Sequence, residues 1–185
     1  MFYVFTHKPG NTSLSSSDPI QTNELNTPDS VAPPAQSSLA INDSVKVKKQ
    51  KMNGLRPDSL VEFAKSLIGI PYKYGSTDPS IGFDCSGFIT YVFNHFNIKV
   101  PRSSKDFENL GIEIPVSKSK EGDLILFTGT DSTERIIGHM GIVVSNDNDS
   151  IRFIHSTSGK SYGVVITGFN QYYRGRFVKT ICVFN

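Results

Sequence analysis

The sequence predicts an α+β domain that starts near Gly54 and runs to the end of the chain. Two observations carry this. From Pro57 onward apolar residues recur at helical spacing; after about Gly122 the spacing shortens to that of strands, broken by Gly, Asn and Asp. Helices first and an antiparallel sheet second is an α+β order. A third observation sets the boundary. Residues 8–53 are rich in Ser, Asn, Thr and Pro, and their few apolar residues show no period. Residues 1–53 are therefore expected to be a disordered tail or linker. Lys46, Lys48, Lys49 and Lys51 close it, and they read as a solvated linker end rather than a surface-binding patch.

The first helix is expected where Leu60, Val61, Ala64, Leu67 and Ile68 form one stripe, with Asp58 able to cap its start and Gly69 and Pro71 ending it. A loop through Tyr72 and Tyr74 follows, then a turn-rich stretch to Phe83. The second helix begins at Asp84-Cys85. Phe88, Ile89, Val92, Phe93 and Phe96 make it the most apolar of the set, and so the central buried one. A short third helix fits 103–110, stopped by Gly111. Strands are expected over 123–127, 139–145, 151–156, 163–167 and 177–184. No internal repeat is visible.

Composition excludes several classes of function. The 185 residues carry a formal charge of +2, and 37% are hydrophobic. Before Gly54 five lysines face four acids, and from Gly54 onward 14 basic residues face 13 acidic ones. No clustered basic face for nucleic acid results. No run approaches the roughly 20 apolar residues of a membrane-spanning helix. Two cysteines do not make a disulfide framework. The opening Met1-Phe2-Tyr3-Val4-Phe5 is too short for a signal-peptide core, and no early cysteine offers a lipid anchor. Either the chain is not exported or its true start lies upstream.

Chemistry concentrates at Cys85. It stands in the first turn of the buried helix, where unpaired N–H groups and the dipole are expected to lower a thiol pKa from about 8.5. Small residues, Ser86 and Gly87, follow it. On its own it would be an ordinary buried cysteine. Two histidines change that. His139 opens one expected strand and His155 lies near the end of the next. If 146–150 form a five-residue hairpin loop, Ser145 faces Ile151 and the two histidines become diagonal neighbours on one side of the sheet. That arrangement suits a nucleophile, a base and an orienting group: Cys85, His139 and His155. The rival is zinc held by one Cys and two His, but no CxxC or HExxH segment supports it, and no metal is expected. A serine hydrolase lacks its GxSxG elbow. Cys182 is expected to be a passive core thiol; His7 and His95 receive no role.

Six segments carry a family resemblance: Pro71-Tyr72-Lys73-Tyr74-Gly75, Gly82-Phe83-Asp84-Cys85-Ser86-Gly87-Phe88, Pro101-Arg102-Ser103-Ser104, Gly122-Asp123-Leu124-Ile125-Leu126-Phe127, Gly138-His139-Met140-Gly141-Ile142-Val143 and Phe153-Ile154-His155-Ser156. In that order they resemble the NlpC-type cell-wall peptidases, a papain-like group, over almost all of 57–185. The resemblance implies a papain-like fold whose nucleophile helix packs on a five- to six-stranded antiparallel sheet. It implies Cys85 as nucleophile, His139 as base and His155 as the third polar residue. The implied reaction is hydrolysis of the D-glutamyl–diaminopimelate bond of peptidoglycan stem peptides through a thioester, with a Cys85 N–H on the oxyanion and no cofactor. Tyr72 corresponds to a tyrosine lining the pocket beside the nucleophile. Asp84, Ser86, Arg102 and Ser104 correspond to positions that shape or contact substrate, although Asp84 could simply cap its helix, Ser104 begin the next, and Arg102 make a surface ion pair.

The implied partners are stem peptides or free muropeptides, acted on by a monomer in the cell envelope or outside it. Other tasks on the same scaffold are a silent wall-binding module and an amidase or acyltransferase. Two departures stand out: Tyr74-Gly75-Ser76 replaces a frequent Trp-Gly-Gly, and Asp106-Phe107 stands where relatives often carry glutamine.

Overall fold

Pro57 opens the first helix, α1 (Pro57–Ser66), in the first turn, where the missing N–H would have no helical partner. The computed structural model describes residues 55–148 and 150–184, so the expected polar tail lies outside it. Asp58 does not cap α1. Arg56 holds the cap position without a side-chain bond, and Asp58 sits inside the first turn, where its carboxylate accepts the Ser59 N–H and pairs with Arg56. A carboxylate there still complements the positive end of the helix.

The chain then makes a small ladder, β1 (Thr77–Asp78) with β2 (Gly82–Phe83), before α2 (Cys85–His95). The expected third helix is a 3-10 turn, Ser104–Asn109. Only Phe107 in it is buried, so no apolar stripe exists to hold a full α-helix against the core. Strands β3 (Ile112–Ile114), β4 (Leu124–Thr128), β5 (Ile137–Asp147), β6 (Ser150–Thr157) and β7 (Gly163–Gly168) follow; then come a short α3 (Gln171–Arg176) and β8 (Phe177–Cys182). The six strands from β3 onward form one antiparallel sheet in the order β3-β8-β4-β5-β6-β7. Papain-like helix-on-sheet packing is thus realised with six strands. Among the described residues no helix is long and apolar enough to cross a membrane.

Residues of β4, β5 and β6 divide between two cores. Leu124, Leu126, Met140, Ile142 and Ile154 face α1 and α2, where Leu60, Phe88, Ile89 and Phe93 are fully buried. Each such side chain withdrawn from water contributes about 1.5–3 kcal/mol. Ile125, Phe127, Val143, Ile151 and Phe153 face the other way, onto Phe169 and the Tyr173 ring of α3.

The β5–β6 hairpin departs from expectation at its tip. Asp147 pairs with Ser150, so only two positions lie between the strands; Asn148, the first, takes a left-handed φ of 49°. The tip register is therefore one residue away from the expected Ser145 opposite Ile151. A bulge at Val144 absorbs the difference: Ser145 faces Arg152, but Val143 already faces Phe153.

Candidate active site

Asp84 builds the Cys85 end of the candidate site. Its Oδ1 accepts the Gly87 N–H at 2.6 Å, which caps α2 and sets Cys85 in the first turn. A Cβ at position 87 would collide with the Ser76 carbonyl, so only glycine lets the loop after Tyr72 lie against this turn. The same carboxylate holds Arg102 in a two-pronged ion pair, Nη2 to Oδ2 at 2.7 Å and Nη1 to Oδ1 at 3.0 Å. Arg102 Nη1 also donates to Ser86 Oγ at 3.0 Å. Asp84 and Ser86 are buried, whereas the Arg102 side chain is half-exposed. Cap and ion pair, alternatives to a site role in the sequence, are thus both made by one carboxylate. Ser104 begins the 3-10 turn as its first residue, after Ser103 in the cap position, and its hydroxyl donates to the Ile137 carbonyl at 3.4 Å, at the start of β5. Tyr72 is half-buried close to this cluster. Burial raises its phenol pKa, and the negative charges of Cys85 and Asp84 add to the effect.

The Cys85 thiol donates to the Gly138 carbonyl at 3.7 Å, the residue just before His139. No hydrogen bond among the described residues joins the sulfur to the imidazole directly. The thiol is pushed up to about 11, first by burial and then by the Asp84 charge; the N–H groups of Ser86 and Cys85 and the Arg102 charge oppose this. The lowering expected from the helix terminus is therefore overturned. Loss of solvation plus a carboxylate one residue away outweighs two N–H dipoles.

The histidines meet because of the bulge at Val144. Continuing the tip register would set His155 opposite Ile142, on the α2 face, while His139 points the other way. With one surplus residue the two rings share a face: His139 Nε2 lies 2.9 Å from His155 Nδ1. Gly141 leaves them room, as a Cβ there would stand 2.7 Å from the Phe153 ring and 2.8 Å from the Ile154 carbonyl. Phe127, Phe153 and Tyr173 wall the pair, with the Tyr173 ring stacked near His139. Burial holds His139 well below its usual pKa, helped by His155 and the Arg176 charge; burial and Arg176 bring His155 down to about 4. Both rings are neutral at pH 7. The body of α2 packs on the opposite face, with Cys85 against the core there, and the sulfur meets β5 at the Gly138 carbonyl, where a second bulge interrupts pairing with β4.

Three residues of this neighbourhood were missed in the sequence. Thr167 Oγ1 lies 2.9 Å from His155 Nε2. Tyr173 supplies the stacking ring, and buried Arg176 donates to the Thr128 carbonyl at 2.8 Å with no acid partner among the described residues. Extending the strand pairing to β7 would have found Thr167. Asn170, whose side chain accepts the Tyr173 N–H, was a cap signal for α3. Cys182 is half-buried rather than a core thiol, and both cysteines are free. Among the described residues no three His, Cys, Asp or Glu side chains are grouped to hold a metal.

Residues 69–181 match the model of the NlpC/P60 family. The chain belongs to that family. Among curated relatives it is 35% identical over 121 residues to a gamma-DL-glutamyl hydrolase of Bacillus subtilis, covering 64% of this chain and 28% of the relative. It is 39% identical over 125 residues to the probable peptidoglycan endopeptidase LytE of the same organism, covering 67% of this chain and 34% of LytE. The chain thus spans about a third of the length of these two relatives. The fold matches that of a crystallised NlpC/P60 protein from Bacillus cereus with a TM-score of 0.64 at 24% identity, over 74% of this chain and 43% of the other. Helix, sheet and match agree on an NlpC/P60 domain.

Proposed function

We propose that this NlpC/P60 chain is a cysteine endopeptidase that cuts peptidoglycan stem peptides at the D-glutamyl–diaminopimelate bond, in the cell envelope or outside the cell. The observation that carries the proposal is the ordered set Cys85, His139, His155, with the sulfur resting on the carbonyl next to His139 and the two rings hydrogen-bonded. The relatives' names, a gamma-DL-glutamyl hydrolase and a peptidoglycan endopeptidase, support the substrate class.

In the mechanism, the thiol leaves the Gly138 carbonyl and gives its proton to His139 Nδ1, the ring nitrogen that His155 does not occupy. Sulfur adds to the scissile carbonyl, and the Cys85 N–H helps hold the resulting oxyanion. Collapse expels the amine, which takes the proton back from His139, and leaves a thioester. Water, deprotonated by the same ring, then releases the acid and restores the thiol. Half-exposed Arg102 and Tyr72 contact the stem peptide; buried Asp84 and Ser86 act by holding Arg102, and Ser104 by holding the start of β5.

The test is incubation of the full chain with defined cross-linked muropeptides, with product masses recorded. Fragments ending in D-glutamate, absent with Cys85→Ala, are expected. Cleavage at the cross-link or beside the sugar would refute the bond assignment, and undiminished cleavage by Cys85→Ala would refute the mechanism.

A further inference from the structure

We infer that Thr167 is a positioning residue that sets the proton on both catalytic histidines. This rests on His139 acting as the base. Position 167 faces Phe153 in the β6–β7 ladder and His155 faces Val165, so Thr167 is the diagonal neighbour of His155 on the histidine face. The contacts run in one line: His139 Nε2 to His155 Nδ1 at 2.9 Å, then His155 Nε2 to Thr167 Oγ1 at 2.9 Å.

A neutral imidazole carries one N–H, so the line has only two consistent proton arrangements. In the first, His139 Nε2–H donates to His155 Nδ1, and His155 Nε2–H donates to Thr167 Oγ1. His139 Nδ1 then presents a lone pair to the thiol. In the second, the Thr167 hydroxyl donates inward, every proton moves to the other nitrogen, and His139 Nδ1 carries hydrogen and cannot act as a base. The chemistry needs the first. His155 is fully buried, so its Nε2–H must find an acceptor, and among the described residues Thr167 Oγ1 is the one within reach. The chain end of the relay is thus a hydroxyl that accepts.

Remove that acceptor and the first arrangement leaves a buried donor unpaired, whereas the second leaves only an acceptor unpaired. Thr167→Val is therefore expected to lower kcat about 10- to 100-fold with KM little changed, and Thr167→Ser to restore it. The independent readout needs no substrate: imidazole nitrogen shifts in the full chain labelled with ¹⁵N-histidine. The parent is expected to show hydrogen on Nε2 of both rings, and Thr167→Val to move it to Nδ1. Hydrogen on Nδ1 of either ring in the parent, or a Thr167→Val protein with parental tautomers and parental kcat, overturns the inference. If Thr167→Val does not fold, Thr167→Ala replaces it, and if neither folds the parental tautomers decide. Failure of the peptidase proposal would show separately, as an inactive parent whose tautomers can still be read.

Discussion

Cys85 should resist alkylation at neutral pH and gain reactivity steeply as pH rises. The half-buried thiol sits at about 11 because it loses solvation and lies beside Asp84. At pH 7 its thiolate fraction is then on the order of 10⁻⁴, against roughly 3% for a free thiol near 8.5, a deficit of about 300-fold. Each pH unit up to about 10 should multiply the rate of iodoacetamide labelling about tenfold. Mass mapping of peptides separates Cys85 from Cys182. Asp84→Asn supplies the sign: it removes one raising cause and leaves the Arg102 cation unbalanced near the sulfur, so the curve should move to lower pH. A labelling rate that stays flat between about pH 5 and 8 is the behaviour of a preformed thiolate–imidazolium pair. That result would refute the neutral resting state described above, and with it the view that burial dominates the thiol.

Two further outcomes follow from the histidine side. His155 titrates near 4 in the folded protein, against 6.5 when unfolded. Its burial as a neutral ring therefore confers stability above 6.5, and that stability is lost as pH falls toward 4. The difference amounts to about 3 kcal/mol. Urea melts at pH 7 and pH 4 measure it, and a His155→Gln variant should lose much of the pH dependence; an unchanged slope in that variant contradicts the assignment. Gly141→Ala should cost about 1–3 kcal/mol of stability and a larger share of activity, because the added methyl is driven toward Phe153 and His155. Thermal melting and turnover check both, and a fully active Gly141→Ala protein counts against a crowded histidine pair.

Much of this was legible in the sequence because long periodic segments announce themselves. The stripe of Phe88, Ile89, Val92 and Phe93 marked the buried helix, and strands 123–127 and 151–156 lie within a residue of β4 and β6. What escaped was short or set by tertiary contact. β3 has three residues and α3 six, too few for a period, and both exist because β8 and the histidine-face core receive them. The thiol acidity differs from expectation because a helix terminus is a local feature, whereas loss of solvation and the charge of Asp84 depend on the folded loops. The hairpin register was wrong at its tip and right at the histidines, since alternation of residue types cannot reveal a bulge.

The surplus residue at Val144 makes segment length a chemical constraint. Deleting one residue between His139 and Ser145 would swap the phase of everything toward the mouth of the hairpin and send one imidazole to the wrong side, however conservative the remaining composition. Additions between Asp147 and Ser150 carry no such penalty, because they lie outside the paired positions. The hairpin tip is therefore the place where this scaffold can accept an inserted peptide or an epitope tag while the two imidazoles stay paired.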